Sequence, residues 1–296
     1  MVAALVLAFP PPAGLPLEGW RTAAVALWMA AWWITEAVPI PVTALLPLVL
    51  FPGLGVLTMA DAAAPYANEV IFLFMGGFFL AAAMESCGLH RRVALGIIRR
   101  VGLGPERLVL GFMVATAFLS MWISNTATTA MMLPIGVAVV ELFRGDAPRE
   151  GFPLGIALML GIAYGASIGG VATLIGTPPN AIFAAASSEL LQVDIGFGQW
   201  MLLGVPVTVV MIPLTWLLLV KVLFRPGALG GDAALILEGE IRSLGPASSA
   251  ERRVAVVFVV TALAWILRAP KTLGEVVIPG LQTWAPELRD STIAMA

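Results

Sequence analysis

Charge is what this sequence most lacks. Asp, Glu, Lys and Arg make up 11% of its 296 residues, against about 25% in an ordinary soluble domain. A water-soluble core of that size needs a far more polar surface, so a soluble globular protein is excluded. Cysteine is present once, as Cys87, which excludes an internal disulfide framework and any multi-cysteine metal site. The single histidine, His90, has no second histidine to share a metal with, and both residues read as connector positions. The net charge of −2 comes without a basic stripe, which excludes nucleic acid as a partner.

Apolar residues fill the space that charge leaves, at 60% of the chain. Residues 108–140 contain no Asp, Glu, Lys, Arg or His, and neither do residues 152–188. Runs longer than about 18 apolar residues lie in a membrane. Shorter apolar elements cover 22–35, 42–59, 70–84, 200–220 and 254–267. The chain is therefore expected to be an all-α polytopic membrane protein. Met1 to Phe9 is apolar but has no basic flank. It reads as the stub of a first membrane helix ending at Pro10-Pro11-Pro12, not as a signal peptide. Glu36 and Glu85 close apolar stretches as helix-end residues, and Trp28, Trp32 and Trp33 serve as packing and interfacial anchors.

Basic residues gather between these elements. Arg91, Arg92, Arg99, Arg100 and Arg107 precede the 108–140 run, and Arg144 and Arg149 follow it. Lys221, Arg225, Arg242, Arg252 and Arg253 follow 200–220. Placing these three connectors in the cytoplasm puts twelve of the sixteen basic residues inside, leaving Arg21, Arg268, Lys271 and Arg289 opposite. The 108–140 run must then enter and leave on one side, as a re-entrant hairpin. Its 33 residues are too many for one span of about 20 and too few for two, but fit two half-depth arms of about 15. The midpoint is Ser124, in the polar run Ser124-Asn125-Thr126-Ala127-Thr128-Thr129.

The 37 residues of 152–188 are interrupted by Gly169-Gly170 and again by Gly176-Thr177-Pro178-Pro179-Asn180. Two consecutive prolines remove two backbone donors and push the preceding residue out of the α region. A helix broken in mid-membrane is expected. Freed carbonyls and hydroxyls at such breaks suit a hard cation such as sodium. Half-helix N-termini with Asn and Thr donors suit a carboxylate. The plainer reading is that Ser, Thr and Gly only let helices pack closely, but two clustered breaks at membrane depth call for a cavity. Gly165-Ala166-Ser167-Ile168-Gly169 fits the nucleophile-elbow pattern of hydrolases, without the strand or the base that pattern needs. Gly161, Gly165 and Gly169 form instead a four-residue stripe for close helix packing.

At the two polar motifs the sequence resembles the divalent anion/sodium symporter family, the sodium-coupled dicarboxylate and citrate carriers. The likeness covers Trp32-Trp33-Ile34-Thr35-Glu36-Ala37-Val38-Pro39-Ile40-Pro41, Ile71-Phe72-Leu73-Phe74-Met75-Gly76-Gly77, Ser120 to Pro134, and Ala172 to Phe183. The resemblance implies the first half of an inverted-repeat, elevator-type carrier working as a homodimer in the inner (plasma) membrane. Residues 1–106 would be scaffold helices and 107–226 half of a transport domain, made of the hairpin 108–140, the broken helix 152–188 and the helix 200–220. Residues 227–296 would be a cytoplasmic connector and the start of a second repeat. It implies a sodium site at Ser120, Ser124, Asn125, Gly176 and Thr177, and substrate contacts from Ser124, Asn125, Thr126, Pro178 and Asn180. No organic cofactor is implied. The family's second Ser-Asn-Thr hairpin and second broken helix have no counterpart after Phe183, so the chain is expected to be part of a longer carrier. The expected function is sodium-coupled symport of small di- or tricarboxylates. The alternatives are a sister carrier of sulfate or arsenite, a membrane hydrolase, and a non-transporting fragment.

Overall fold

A computed structural model describes residues 9–144, 152–226, 233–273 and 276–296. The expected stub at 1–9, apart from Phe9, and the connector residue Arg149 lie outside the described residues. The chain forms two compact units, Met1–Ile71 and Phe72–Ala296.

In the first unit, α1 (Leu17–Thr35) starts after Pro16 and stops at Glu36, whose φ of 48° is left-handed. Trp28 and Trp32 meet edge to face on it, 5.2 Å apart. The apolar stretch 42–59 was expected as one element. It is instead two short helices, α2 (Ile40–Ala44) and α3 (Leu46–Gly53). Pro41 and Pro47 sit in their first turns and Pro52 lies inside α3. A proline forfeits a helical hydrogen bond and clashes with the preceding turn, so this segment cannot run on as one long helix. α4 (Met59–Ala63) is capped by Thr58, and a 3-10 turn (Ala64–Ala67) returns Tyr66 to α2, its hydroxyl donating to the Ala44 carbonyl at 2.6 Å.

α5 (Glu69–Ser86) leads into the second unit. The arginine-bearing segment after it was expected to be a plain connector and is a helix, α6 (Leu89–Val101). Its Leu89, Ala94, Leu95 and Ile98 form a buried stripe, which hydropathy averaging hides because four arginines share the turns. At the centre lies α7 (Pro105–Ser120), whose Leu108, Val109, Phe112, Met113 and Ala115 are fully buried. After a break, α8 (Asn125–Arg144) folds back beside it: a Cβ at Gly136 would lie 3.7 Å from the Phe112 ring. The arms are 16 and 20 residues, longer than the half-depth arms expected, since both helices extend past the charge-free run into charged residues. α8 alone is long and apolar enough to cross a membrane.

α9 (Pro153–Gly170) packs along α7 through the glycine stripe. Cβ atoms at Gly161, Gly165 and Gly169 would meet Met113 Cγ at 3.0 Å, the Met113 carbonyl at 2.9 Å and the Ala117 carbonyl at 2.2 Å. Only glycine lets the two backbones come this close. Ser167 thus lies in mid-helix, not on a strand-to-helix elbow. α10 (Pro178–Leu191) follows the second break. α11 (Phe197–Leu217) continues as a π-helix to Leu223, then come α12 (Ala233–Ser243) and α13 (Ser249–Leu267). A small antiparallel pair, β1 (Lys271–Leu273) and β2 (Val276–Ile278), precedes the short α14 (Asp290–Met295).

Apolar side chains point outward over much of the surface, for example Leu202, Leu203 and Val209 on α11 and Val256 on α13, each over 60% exposed. Four helical segments described here are long and apolar enough to span a membrane: Met59–Ser86, Asn125–Arg144, Pro153–Gly170 and Phe197–Leu223. The protein is a helical membrane protein. Ion pairs mark the two ends of the second unit. At one, Lys221 pairs with Glu106 at 2.6 Å, Arg92 with Glu251 at 2.7 Å, Arg91 with Glu240, and Arg144 with Glu141. α12 packs there against both α6 and α8. At the other, Arg268 meets Asp290 beside Gly196 at the start of α11.

Candidate functional site

The first break, residues 121–124, falls at the polar run. Ser124 caps α8: its carbonyl accepts from the Thr128 N–H at 3.0 Å and its hydroxyl from the Ala127 N–H at 3.3 Å. A serine at this position satisfies a helix donor that would otherwise face the membrane interior. Ser120, fully buried at the end of α7, donates its hydroxyl to Asn125 Oδ1 at 2.6 Å and so bridges the turn. The Thr129 hydroxyl donates to the Asn125 carbonyl at 2.8 Å.

The second break, residues 171–177, is held by Asn180. Its amide nitrogen donates to the Gly170 carbonyl at 2.8 Å and to the Thr173 carbonyl at 2.7 Å. An asparagine in the first turn of α10 thereby satisfies buried carbonyls at and just after the end of α9, which hydrocarbon would otherwise leave unmet. Pro178 and Pro179 occupy the first positions of α10, where no N–H is needed. Thr177 precedes them in extended conformation, with no side-chain capping bond.

The two breaks touch. A Cβ on Gly170 would lie 2.5 Å from Asn125 Oδ1, and one on Gly176 would lie 2.5 Å from the Gly170 carbonyl. The Thr173 hydroxyl donates across to the Met121 carbonyl. Behind them, Trp122, Ile123, Leu174 and Ile175 join Leu73, Phe197 and Trp265 in one apolar cluster. Each break thus turns its apolar residues inward, while Ser124, Thr126 and Pro178 stay exposed.

Of the residues singled out from sequence, Asn125, Gly176 and Asn180 converge on Gly170, and Ser120 joins them through Asn125. Ser124, Thr126 and Pro178 are exposed, Thr177 is half-buried, and Ser120, Gly176 and Asn180 are buried. Among the described residues no hydrogen bond carries Ser124, Thr126, Thr177 or Pro178 across to the other break. Sequence reasoning missed Gly170 as the hub and Thr173 as the bridge. Gly169-Gly170 was marked only as an interruption, and a threonine in an apolar loop gives no signal by itself. Residues 120–126 and 170–180 carry no charged side chain. Two helix C-termini (α7, α9) and two N-termini (α8, α10) end at these breaks, offering partial charge of both signs for a cation and an anion.

Two broken helical segments thus bring their neutral polar tips into contact within a helical membrane protein. The chain belongs to the family described as the sodium:sulfate symporter transmembrane region, which residues 1–294 match. It is 43% identical over 273 residues to the sodium-dependent dicarboxylate transporter SdcS of Staphylococcus aureus (strain bovine RF122 / ET3-1), covering 89% of this chain and 52% of that protein. It is 42% identical over 291 residues to the transporter of the same name from Staphylococcus saprophyticus, covering 96% and 54%. The chain spans about half the length of these relatives.

Proposed function

We propose that this chain supplies half of a sodium-coupled carrier of small dicarboxylates. The observation that carries the reading is the contact between the two breaks at Gly170, where neutral oxygens and helix ends of both signs meet without a fixed charge. The names of the relatives support sodium and dicarboxylate as cargo. Sodium would be held by Ser120, Ser124, Asn125, Gly176 and Thr177, through hydroxyl and carbonyl oxygens. Asn125 and Thr126, with the start of α10 at Pro178, would receive a carboxylate. Asn180, with its amide nitrogen already engaged, would serve by fixing the loop.

In this reading 108–140 is a re-entrant hairpin, supported by α8 lying beside α7, with Gly136 facing Phe112. Residues 107–226 move as half of a transport domain against scaffold helices in 1–106, in an inverted-repeat, elevator-type homodimer of the inner membrane. Residues 227–296 connect to the second repeat, which completes the pocket. The test is uptake of radiolabelled succinate into proteoliposomes carrying the complete gene product, across a sodium series balanced with choline. Sodium-dependent uptake is expected; uptake indifferent to sodium refutes the reading. Because the family description names sulfate, sulfate is the competitor to include, and sulfate uptake exceeding succinate uptake would assign the sister function.

A further inference from the structure

Thr173 has no part in the site as the sequence defines it, yet it is fully buried and joins both breaks. Its hydroxyl donates to the Met121 carbonyl in the first break and accepts the Gly176 N–H at 3.1 Å in the second. Its own carbonyl takes one of the two Asn180 bonds. Met121 begins the turn that leads to Ser124 and Asn125, and Gly176 closes the turn that leads to Thr177. This one side chain satisfies a carbonyl of the first turn and takes the closer share of an N–H of the second, which also reaches the Thr173 carbonyl at 3.4 Å. We propose that Thr173 is the positioning residue that fixes the two tips in mutual register, so that the oxygens offered to the cation by one break depend on the other. The proposal rests on the sodium reading above and adds the residue that sets ion affinity without touching the ion.

A buried group left without its hydrogen-bond partner costs enough to shift affinity about tenfold. The measurement is sodium-dependent succinate uptake by the complete gene product in proteoliposomes, for the parent and for Thr173→Ser, Thr173→Cys and Thr173→Val. The half-saturating sodium concentration should follow hydrogen-bonding capacity: Ser within about twofold of the parent, Cys higher, and Val about tenfold higher. The maximal rate at saturating sodium should change far less. If the order follows side-chain volume instead, with Cys and Val near the parent and Ser impaired, Thr173 is only packing and the proposal falls. Should the Val variant fail to insert, the order of Ser and Cys still decides. A parent whose uptake ignores sodium refutes the underlying reading and the proposal with it, whereas a sodium-dependent parent with an unshifted Val variant refutes the proposal alone.

Discussion

Asn125 accepts the Ser120 hydroxyl through Oδ1 and rests its amide against Gly170, which has no side chain to displace it. Asn125→Asp keeps that acceptor and the side-chain size but exchanges amide donors for a negative charge. Two unit charges about 4 Å apart repel by about 4 kcal/mol at an effective dielectric near 20, or about three decades in affinity. Asn125→Asp should therefore abolish dianion uptake in proteoliposomes while the protein still inserts and purifies. Ser124→Ala removes one neutral oxygen and should mainly raise the sodium requirement. Normal succinate uptake by Asn125→Asp would remove Asn125 from the site. The polar residues at the tip were legible because Ser, Asn and Thr in an uncharged run must be satisfied locally. Gly170 and Thr173 were not, since their partners lie 45 and 52 positions away and nothing local in the chain encodes that approach.

At the scale of elements, the 161–165–169 stripe makes a graded prediction. The Cβ of Gly169→Ala would come within 2.2 Å of the rigid Ala117 carbonyl, whereas that of Gly161→Ala would meet the flexible Met113 side chain at 3.0 Å. Overpacking against backbone costs typically about 1–3 kcal/mol. Gly169→Ala should therefore lower the thermal unfolding midpoint in detergent clearly, and Gly161→Ala little; equal shifts would mean that α7 and α9 part freely. The stripe could be read from sequence because a four-residue spacing places glycines on one helix face. α6 could not, since its buried stripe is diluted by arginines, and 42–59 was overextended because hydropathy takes no account of proline. A further signal lay in Ser248-Ser249-Ala250-Glu251, which forms a capping box at α13: the Glu251 N–H donates to Ser248 Oγ at 3.1 Å and the Ser248 N–H to Glu251 Oε2 at 2.6 Å.

Glu251 also ties elements together, because Arg92 of α6 donates to its carboxylate and to the Leu244 and Gly245 carbonyls. The Arg92 hydrogen bond, followed by that from the Ser248 N–H, lowers the Glu251 carboxyl from its ordinary 4.5 to about 2. A carboxyl depressed in the folded state stabilises it at pH values above its unfolded pKa, and that contribution is lost as pH falls from about 4.5 toward 2. The thermal midpoint in detergent should drop over this window. Glu251→Gln should start lower at neutral pH and drop less. Parallel curves for the two proteins would show that the Arg92–Glu251 pair does not hold α6 to α13.

Across the whole second unit, the ion pairs separate two ends chemically. Glu106 opens α7 and is bound by Lys221 from the end of α11, with the Trp216 indole donating to its carbonyl at 2.8 Å. α12 packs against both α6 and α8 and is tied to α6 through Arg91 and Glu240. On the hairpin reading, both ends of the 105–144 segment lie at the end rich in arginine. Arg268 and Asp290 lie at the other, where Trp265 donates to the Asp290 carbonyl. Arginine excess marks the cytoplasmic side, so the helix pair should enter and leave from the cytoplasm. Cysteines replacing Arg100, Arg144 and Arg225 in a Cys87→Ser background should react with an impermeant maleimide only when the cytoplasmic face is open to it. A cysteine at Trp284, 72% exposed and beyond Arg268 in the chain, should react only from outside. The comparison of Arg100 with Arg144 decides the matter, because α8 is long enough to cross a membrane by itself. Reaction at Arg144 from the side opposite Arg100 would make α7 and α8 a crossing segment and would remove the hairpin from the carrier's moving half.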